Sequence, residues 1–263
     1  MKDRLNAFDN MKGHPPLLAR LASNEGEVLA AKRLRYEVFV EEMGAALSGA
    51  GDGIEHDHYD PFCQHLIVVN PAYNQVIATT RLLTEENARH AGGFYSAKEF
   101  DLAAVAQLSG NLLEVGRTCV HRDHRTGKTL AALWSGLAAL IITQQVNYLF
   151  GCASIPIENG EHSPKTILDA LGTRFLSPWQ LRSTPRYPLL ASSQPSRAEL
   201  DIPALVKTYL RLGAWICGEP CWDEEFKVAD VFILLDMKRL NAVYADRLLK
   251  MTRFDFGSER AVA

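Results

Sequence analysis

The order of segments between Leu112 and Ile155 constrains the fold of this chain more than any other feature. Residues 112–120 have the apolar and β-branched content of a strand, and a basic turn follows over residues 121–128. An apolar helix is predicted over residues 129–146, and residues 148–155 form a second apolar strand. The sequence therefore predicts a central unit of strand, turn, helix and strand.

The turn of this unit has the composition of an anion-binding site. Arg122, Arg125 and Lys128 lie where the predicted helix begins, and a helix N-terminus attracts anions through its unpaired N–H groups and its dipole. Gly127 and Lys128 also resemble the end of a nucleotide-binding P-loop, but that motif requires a glycine at position 122. The turn therefore predicts a phosphate site of another kind.

The composition favours one soluble, globular domain. The chain has 263 residues, of which 47% are apolar and 22% are charged, enough for one sizeable core. We expect a flexible N-terminus over residues 1–16, a single domain over residues 17–237, and an amphipathic helix with a tail over residues 238–263. The formal charge of −3 gives no global attraction to nucleic acid, so a local basic patch must hold any anionic partner.

The cysteines and the apolar runs indicate a cytoplasmic protein. The five cysteines are an odd number, and two of them lie within predicted strands, so we expect reduced thiols. Residues 1–16 are polar, unlike a signal peptide, and the longest apolar run, residues 130–142, is shorter than the roughly 20 residues that span a membrane. We expect no metal site, because Cys217 and Cys221 have no second pair. Transient contact of the last helix with the membrane surface stays open.

Two charged residues, Glu114 and Arg117, interrupt the first strand of the central unit. Residues three apart on a regular strand face opposite ways, so these side chains can share a site only if the strand is bulged. Gly116 lies between them and permits a bulge, which we predict at or beside this residue. The alternative is that Glu114 only pairs with Arg117.

Other charged residues lie where a charge needs a partner. Arg35 and Phe39 are one turn apart on the first predicted helix, residues 25–42, and the simplest interpretation is an ion pair for Arg35 and a core position for Phe39. Arg81 lies on a predicted strand, where it must pair with a carboxylate or bind an anion, since a lone buried charge is costly. Asp57 and Asp60 form a carboxylate pair suited to a cation.

Sequence blocks along most of the chain resemble a known family. They cover residues 33–44, 57–66, 80–83, 93–102, 113–120, 133–136, 150–154 and 209–215. These blocks resemble the bacterial ornithine-lipid N-acyltransferases of the GNAT superfamily. The resemblance implies an α/β (α+β) GNAT-like acyltransferase fold with a mixed central sheet, two splayed parallel strands and helices on both faces. The implied activity is transfer of a 3-hydroxyacyl chain from acyl carrier protein to the α-amino group of ornithine.

A second, more distant resemblance is to the acyl-homoserine-lactone synthases. Their pattern has an Arg and a Phe on the first helix, two Asp three residues apart, an Arg after a strand, and Glu-x-x-Arg on the splayed strand. The matching residues here are Arg35, Phe39, Asp57, Asp60, Arg81, Glu114 and Arg117. The tryptophan that those synthases place six residues after the Phe is Ala45 in this chain. This departure leaves a signal synthase as the alternative.

The resemblance also implies an acyl donor and its docking site. The donor arm is the 4′-phosphopantetheine of acyl carrier protein, and no cofactor is bound permanently. Because acyl carrier proteins are acidic, we expect Arg122, Arg125 and Lys128 to meet the carrier, with the phosphate at Gly127. Glycine or glutamine as the acceptor, and an idle module that binds lipid or carrier protein, are further alternatives; Glu114 argues against the idle module.

Acyl transfer to an amine requires a base, because an amine is protonated near neutral pH. We expect Glu114 to act as this base, and backbone N–H groups from Arg117 to Val120 to hold the oxyanion. Cys119 has no evident group to activate it, so we expect direct transfer without an acyl-enzyme.

The acceptor site is predicted from the same residues. We expect Asp57 and Asp60 to hold the side-chain ammonium of ornithine, and Arg81 or Arg35 to hold its carboxylate. The rest of the expected substrate site consists of Phe39, Cys119 and Val120.

Overall fold

The computed structural model describes residues 17–157, 163–189, 202–243, 245 and 246. The predicted N-terminal segment and most of the predicted last helix lie outside these residues. The strands are β1 (Leu18–Leu21), β2 (Ala50–Gly51), β3 (Ile54–Glu55), β4 (Gln64–Asn70), β5 (Gln75–Thr84), β6 (Asn111–Val120), β7 (Val146–Pro156), β8 (Trp215–Ile216), β9 (Cys221–Asp223) and β10 (Val228–Asp236). The α-helices are α1 (Glu25–Arg35), α2 (Glu85–His90), α3 (Gly127–Thr143), α4 (Pro164–Leu171) and α5 (Ala204–Leu212).

The main sheet is mixed, as predicted. Its strand order is β1-β4-β5-β6-β7-β10-β8, with β9 also paired to β10. The neighbours β6 and β7 are parallel, with α3 as the crossover between them, and the other pairs are antiparallel. Hydrophobic residues alternate along β4: Leu66 and Val68 belong to the core cluster that includes α3, whereas Ile67 and Val69 pack with Ala31 of α1. The two helices therefore cover opposite faces of the sheet, which confirms helices on both sides.

The first helix differs from the prediction in its second half. It begins after Asn24, whose side chain accepts a hydrogen bond from the Glu27 N–H, as the capping pattern predicts. From Tyr36 to Glu42 the chain winds as a π-helix instead of continuing the α-helix, and the Met43 N–H bonds to the carbonyl of Val38. The wider turn is typical of functional sites.

The central unit has the predicted order with shifted boundaries. α3 begins at Gly127 rather than at residue 129, because the Thr126 side chain caps it by accepting from the Thr129 N–H. It ends at Thr143 rather than residue 146, and Gln145 then takes a left-handed conformation with φ 51° that turns the chain into β7. Within the described residues, no helix has the length and apolar content that crossing a membrane requires.

The predicted bulge beside Gly116 is confirmed. Thr79 of β5 pairs with Cys119 and Arg81 pairs with Gly116, so a single β5 residue lies opposite two residues of β6. Arg117 occupies the bulge in a left-handed conformation with φ 51°. The extra residue brings Arg117 onto the same cavity as Glu114.

The parallel strands β6 and β7 separate part-way along their length. Their pairing runs from Asn111 and Val146 to Glu114 and Phe150 and stops there. Beyond this point β6 stays paired with β5 as far as Val120, and β7 stays paired with β10 as far as Pro156. A cleft therefore opens between two strands of one sheet, as the GNAT resemblance implies.

Gly151 lies at the point where the strands separate, which gives a test of this geometry. A β-carbon there would overlap the carbonyl oxygen of Val115 across the gap. We expect Gly151→Ala to lower the melting temperature by about 2–10 °C, because close-packed backbone must move apart. Gly116→Ala is the matched control, since a β-carbon at Gly116 meets no atom within 4 Å. Equal melting temperatures for the two variants would contradict the close approach at Gly151.

Candidate active site

A cavity of about 340 Å³ occupies the cleft between β6 and β7. Residues from the π-helix, β5, β6, β7, α5 and β10 line it, together with the turn at Tyr95 and Ser96. Among the predicted site residues, those that line it are Phe39, Arg81, Glu114, Arg117, Cys119, Val120 and Arg125. Arg35, Asp57 and Asp60 do not.

The cavity has a polar side and an apolar side, because side chains alternate along each strand. Glu114 of β6, Cys152 of β7 and Asp230 of β10 line the polar side. The apolar side is formed by members of the main hydrophobic core: Val115, Ala153, Val206, Tyr209 and Ile233. The cleft therefore connects a polar part of the cavity on one face of the sheet with an apolar part on the other face.

The Glu114 carboxylate is buried and held by neighbours that follow α2. Its relative exposure is 4%, and it accepts hydrogen bonds from the Tyr95 N–H at 2.7 Å, the Ser96 N–H at 2.6 Å and the Ser96 hydroxyl. Burial raises the pKa of Glu114, although the Ser96 and Tyr95 bonds oppose the shift. A carboxylate with an elevated pKa and a fixed position in a cavity is suited to act as a general base.

Arg117 forms no ion pair with Glu114, so the simple pairing alternative is wrong. Its Nε lies 3.2 Å from the Glu55 carboxylate and its Nη2 lies 3.3 Å from Asp57. The guanidinium carbon is 4.7 Å from the ring centroids of both Tyr95 and Phe226. These contacts fix the bulged residue and leave Glu114 without a cationic partner of its own.

Arg117 belongs to a buried network of three arginines and three carboxylates. Asp60 receives both Nη1 and Nη2 of Arg35, at 2.7 and 2.9 Å, and Glu55 pairs with the Nε of Arg35. Asp57 binds Arg81 at 2.6 Å. Burial alone would raise the pKa of Asp60, but the bonds from Arg35 hold it well below its usual range. The six charges balance within the network.

This network corrects the predicted acceptor site. Arg35 has a relative exposure of 0%, and its donors bind Asp60 and Glu55, so it cannot hold a substrate carboxylate. Asp57 and Asp60 already bind arginines, so they are not a vacant cation site. Arg81 lines the cavity, but Asp57 neutralises it. Arg35, Asp57 and Asp60 therefore support the cavity wall without lining it.

Two of the cysteines that line the cavity, Cys119 of β6 and Cys152 of β7, lie in the strands that separate. Burial raises the pKa of Cys119 to about 12, and burial with the nearby charge of Glu99 raises the pKa of Cys152 well above its usual range. A thiol nucleophile needs a lowered pKa, so neither residue has the environment of a reactive cysteine.

The predicted anion-binding turn is exposed beside one end of the cavity. Arg122, Gly127 and Lys128 are exposed, and Arg125 and Val120 line the cavity next to them. Arg125 bonds to Glu42 through both Nη atoms, and the Arg122 Nε lies 3.7 Å from the same carboxylate. Glu42 therefore neutralises part of the basic patch.

Comparison with known proteins decides the family. The acetyltransferase (GNAT) domain family matches residues 34–135. The L-ornithine N(alpha)-acyltransferase of Brucella abortus (strain 2308) is 35% identical over 250 residues, which cover 87% of each chain. The L-ornithine N(alpha)-acyltransferase of Rhodobacter capsulatus is 36% identical over 239 residues, 84% of this chain and 90% of the relative. The chain belongs to the L-ornithine Nα-acyltransferase family.

Solved structures share the fold of this Nα-acyltransferase family member at low identity. BjaI, a CoA-dependent acyl-homoserine lactone synthase, has a TM-score of 0.54 at 19% identity and matches 90% of each chain. FeeM, an N-acyl amino acid synthase from uncultured soil microbes, has a TM-score of 0.53 at 13% identity over 87% of this chain and 95% of its own. The predicted GNAT-like fold is confirmed, and the chain is an N-acyltransferase.

Several residues of this acyltransferase site were not indicated by the sequence patterns. They are Glu55, Tyr95, Ser96, Glu99, Phe226 and Asp230. The clearest signal was Asp230, a carboxylate inside an otherwise apolar strand, which needs a reason just as Glu114 does. Glu55 stood in the same acidic run as Asp57 and Asp60.

The buried network predicts a large loss of stability when one partner is removed. We expect Asp60→Ala to lower the free energy of unfolding by about 3–5 kcal/mol, because Arg35 is left buried without its bidentate partner. Denaturant unfolding at neutral pH measures this difference. The difference should shrink as the pH falls below the ordinary pKa of an aspartate, since the pKa of Asp60 is lowered in the fold and protonation removes the same charge.

Glu85→Ala serves as the control for this variant. Glu85 forms an exposed pair with Arg89 at 2.6 Å on α2, and the loss of such a pair costs less than about 1 kcal/mol. A loss for Asp60→Ala no larger than for Glu85→Ala would contradict the role given to the network.

Proposed function

We propose that this protein transfers a 3-hydroxyacyl chain from acyl carrier protein to the α-amino group of ornithine, which forms a lyso-ornithine lipid. The carrying observation is Glu114, a buried carboxylate with an elevated pKa that lines the cleft between β6 and β7. Relatives of 35% and 36% identity that bear the name L-ornithine N(alpha)-acyltransferase support this acceptor.

In the proposed reaction, Glu114 takes a proton from the α-ammonium group, directly or through one water. The amine nitrogen then attacks the thioester carbonyl carbon and forms a tetrahedral oxyanion. Collapse of this intermediate breaks the carbon–sulfur bond, and the nitrogen loses a second proton to complete the amide. Of the two protons released by the nitrogen, one is taken up by the leaving thiolate and the other passes to solvent, which leaves Glu114 ionised for the next turnover. The high pKa of Cys119 supports transfer without an acyl-enzyme.

Backbone N–H groups of β6 from Arg117 to Val120 are the proposed oxyanion donors. β6 has no pairing partner on the β7 side after Glu114, so groups on that edge are available to a substrate. An oxyanion needs fixed donors where its charge develops, and a strand edge provides them without reorganisation. The left-handed turn of the backbone at Arg117 changes their direction relative to a regular strand.

The apolar side of the cavity is the proposed acyl-chain site. Val206 and Tyr209 of α5 cover it, and Ile233 of β10 forms part of its wall. An acyl chain buried there gains roughly 0.8 kcal/mol for each methylene removed from water. This face is formed by apolar side chains of the core, which suit a hydrocarbon chain: Val115, Ala153, Val206, Tyr209 and Ile233.

The exposed turn is the proposed docking site for the carrier protein. The phosphate of the carrier's phosphopantetheine arm would lie at the start of α3, near Gly127 and Lys128. Arg122 presents its charge to an acidic partner, with a side chain that is 62% exposed. The arm then enters the cleft beside Arg125 and Val120.

A product assay with a base variant tests the proposed function. Purified protein is mixed with 3-hydroxyacyl carrier protein and a panel of ornithine, glycine and glutamine, and the products are identified by mass spectrometry. We expect Nα-acylornithine from the wild type and a fall in kcat of about 100-fold or more for Glu114→Gln. In the wild type, kcat/KM should rise with pH through a pKa above that of an ordinary glutamate, because the deprotonated base is the active form.

Three results would contradict this proposal. Acylation that requires S-adenosylmethionine would assign the chain to the signal synthases, and acylation of glycine or glutamine in preference to ornithine would change the acceptor. Full turnover of Glu114→Gln at neutral pH would remove Glu114 from the role of base.

Carrier-protein docking is tested by charge reversal at the turn. We expect Arg122→Glu to raise the apparent KM for the acyl carrier protein about tenfold at low salt, with kcat nearly unchanged and a smaller effect at high salt. Arg122 is the preferred position, because Arg125 bonds to Glu42 and its reversal would also break that pair. Arg89→Glu is the control, because Arg89 lies far from the basic turn. The helix α2 that carries it follows Thr84, and Thr84 pairs with Leu113, at the end of β6 opposite to the turn. An unchanged KM for Arg122→Glu would place the docking site elsewhere.

A further inference from the structure

A second acidic group lies on the polar side of the cleft, apart from Glu114 and the arginine network. Glu99, Cys152 and Asp230 place one ligand atom each within 4.8 Å of one another. Asp230 lies on β10 opposite Ser154 of β7, and both Asp230 and Cys152 line the cavity. The mechanism proposed above uses neither carboxyl group.

These two carboxyl groups are buried beside each other. Glu99 is 6% exposed and Asp230 is 3% exposed. Among the described residues, these carboxyl groups contact each other, with the Cys152 thiol beside Glu99 and Ser154 beside Asp230, and none of these partners carries a positive charge. A buried polar atom without a partner costs free energy, and a buried carboxylate costs more. A hydrogen-bond donor with positive charge would therefore stabilise the ionised pair.

The proton affinities of the pair agree with this geometry. Burial raises the pKa of Glu99 well above its usual range, and the charge of the adjacent Asp230 adds to the shift. Burial also raises the pKa of Asp230, to about 6. An ammonium group between the two carboxyl groups would stabilise their ionised forms.

The acidic pair is connected to the proposed base by a short chain of contacts. The Cys152 thiol lies 3.3 Å from the Ser96 hydroxyl, and this hydroxyl donates to the Glu114 carboxylate. Two small side chains, Ser96 and Cys152, thus connect Glu114 to the acidic pair, of which Asp230 lines the cavity and Glu99 does not. An α,ω-diamino acid has two amines separated by a short methylene chain, which matches two acidic positions on one wall.

We propose that Asp230 and Glu99 bind the side-chain ammonium of a diamino-acid acceptor while its α-amino group lies at Glu114. This inference rests on the proposed function and adds the residues that select ornithine. Glycine and glutamine have no side-chain cation, so they leave the buried carboxyl groups without a cationic partner. A site built around a charged substrate group rejects analogues that lack it far more strongly than an apolar pocket distinguishes a methylene.

An ammonium group fits this cluster better than a metal ion does. The third member, Cys152, has a pKa well above its usual range, so its thiol would have to lose a proton in an unfavourable setting to bind a metal. The hard cations Mg²⁺ and Ca²⁺ prefer a shell of oxygen ligands, whereas the third potential ligand here, beside the two carboxyl groups, is the sulfur of a cysteine. The metal ion remains an outcome that the experiment distinguishes.

The test compares ornithine with norvaline, which has the same carbon chain without the side-chain amine. For the wild type, we expect kcat/KM to be about 100-fold or more higher with ornithine. We expect Asp230→Asn and Glu99→Gln to lower kcat/KM for ornithine about 30-fold or more, mainly through KM, and to change norvaline about threefold or less. Asp236→Asn is the matched control, because Asp236 lies on the same strand with its side chain accepting from the Lys238 N–H and does not line the cavity.

The outcomes distinguish a failure of the acidic-pair site from a failure of the proposed function. A wild type that acylates ornithine and norvaline equally well overturns the acidic-pair site and leaves the proposed function intact, and this arm does not depend on how the variants fold. Variants that lose both acceptors equally show a structural role and overturn the site. Loss of wild-type ornithine turnover with a chelator, restored by a divalent metal, would assign the cluster to a metal. Absence of any ornithine acylation would overturn the proposed function and this inference with it.

Discussion

The structure depends on the point at which β6 and β7 stop pairing. Up to Glu114 and Phe150 the two strands are ordinary parallel neighbours, and beyond this point each keeps only its outer partner. A buried strand edge with open N–H and C=O groups is unfavourable unless another chain bonds to it. The proposed donor arm contains amide groups of its own, so it can take the place of the missing strand contacts, as an added peptide strand does in other proteins. In the proposed reaction, the gap where strand pairing is lost is therefore also the place where the donor binds.

The charged network stabilises the side of the cleft that the bulge distorts. Arg117 adopts a left-handed conformation that is costly for a non-glycine residue, and its side chain is then held between Glu55, Asp57 and two aromatic rings. Arg35 pairs with Glu55, and Arg81 pairs with Asp57. Because the charges balance, the network can be buried without presenting net charge to the cavity. Glu114 stands apart from this network, and burial raises the pKa of its carboxyl group while the hydrogen bonds from Ser96 and Tyr95 oppose the shift.

Features that depend on residues close together in the sequence were predicted, whereas contacts between residues far apart in the sequence were not. β6 and β7 were predicted from their apolar runs, and the bulge from the glycine between two charges, because these features depend on neighbours in the chain. The pairing of Asp60 with Arg35 and of Asp57 with Arg81 was not indicated, since such partners meet only after the sheet has formed. The π-helix and the short strands β8 and β9 have no strong local signal and depend on packing. The predicted acceptor site treated these carboxylates as vacant, whereas in the structure each of them binds an arginine.

The two faces of the cleft explain how one small cavity can join unlike substrates. A regular sheet separates its faces, so a charged amino acid on one side and a hydrocarbon chain on the other could not react through it. The missing β6–β7 contacts open a passage between the faces at the level of Glu114, where Val115 and Cys152 belong to opposite sides. In the proposed reaction the new amide bond would form in this passage, with the acyl chain on the Tyr209 side and the amino-acid headgroup on the Asp230 side. The amphiphilic character of the product would then follow directly from the alternation of side chains along the splayed strands.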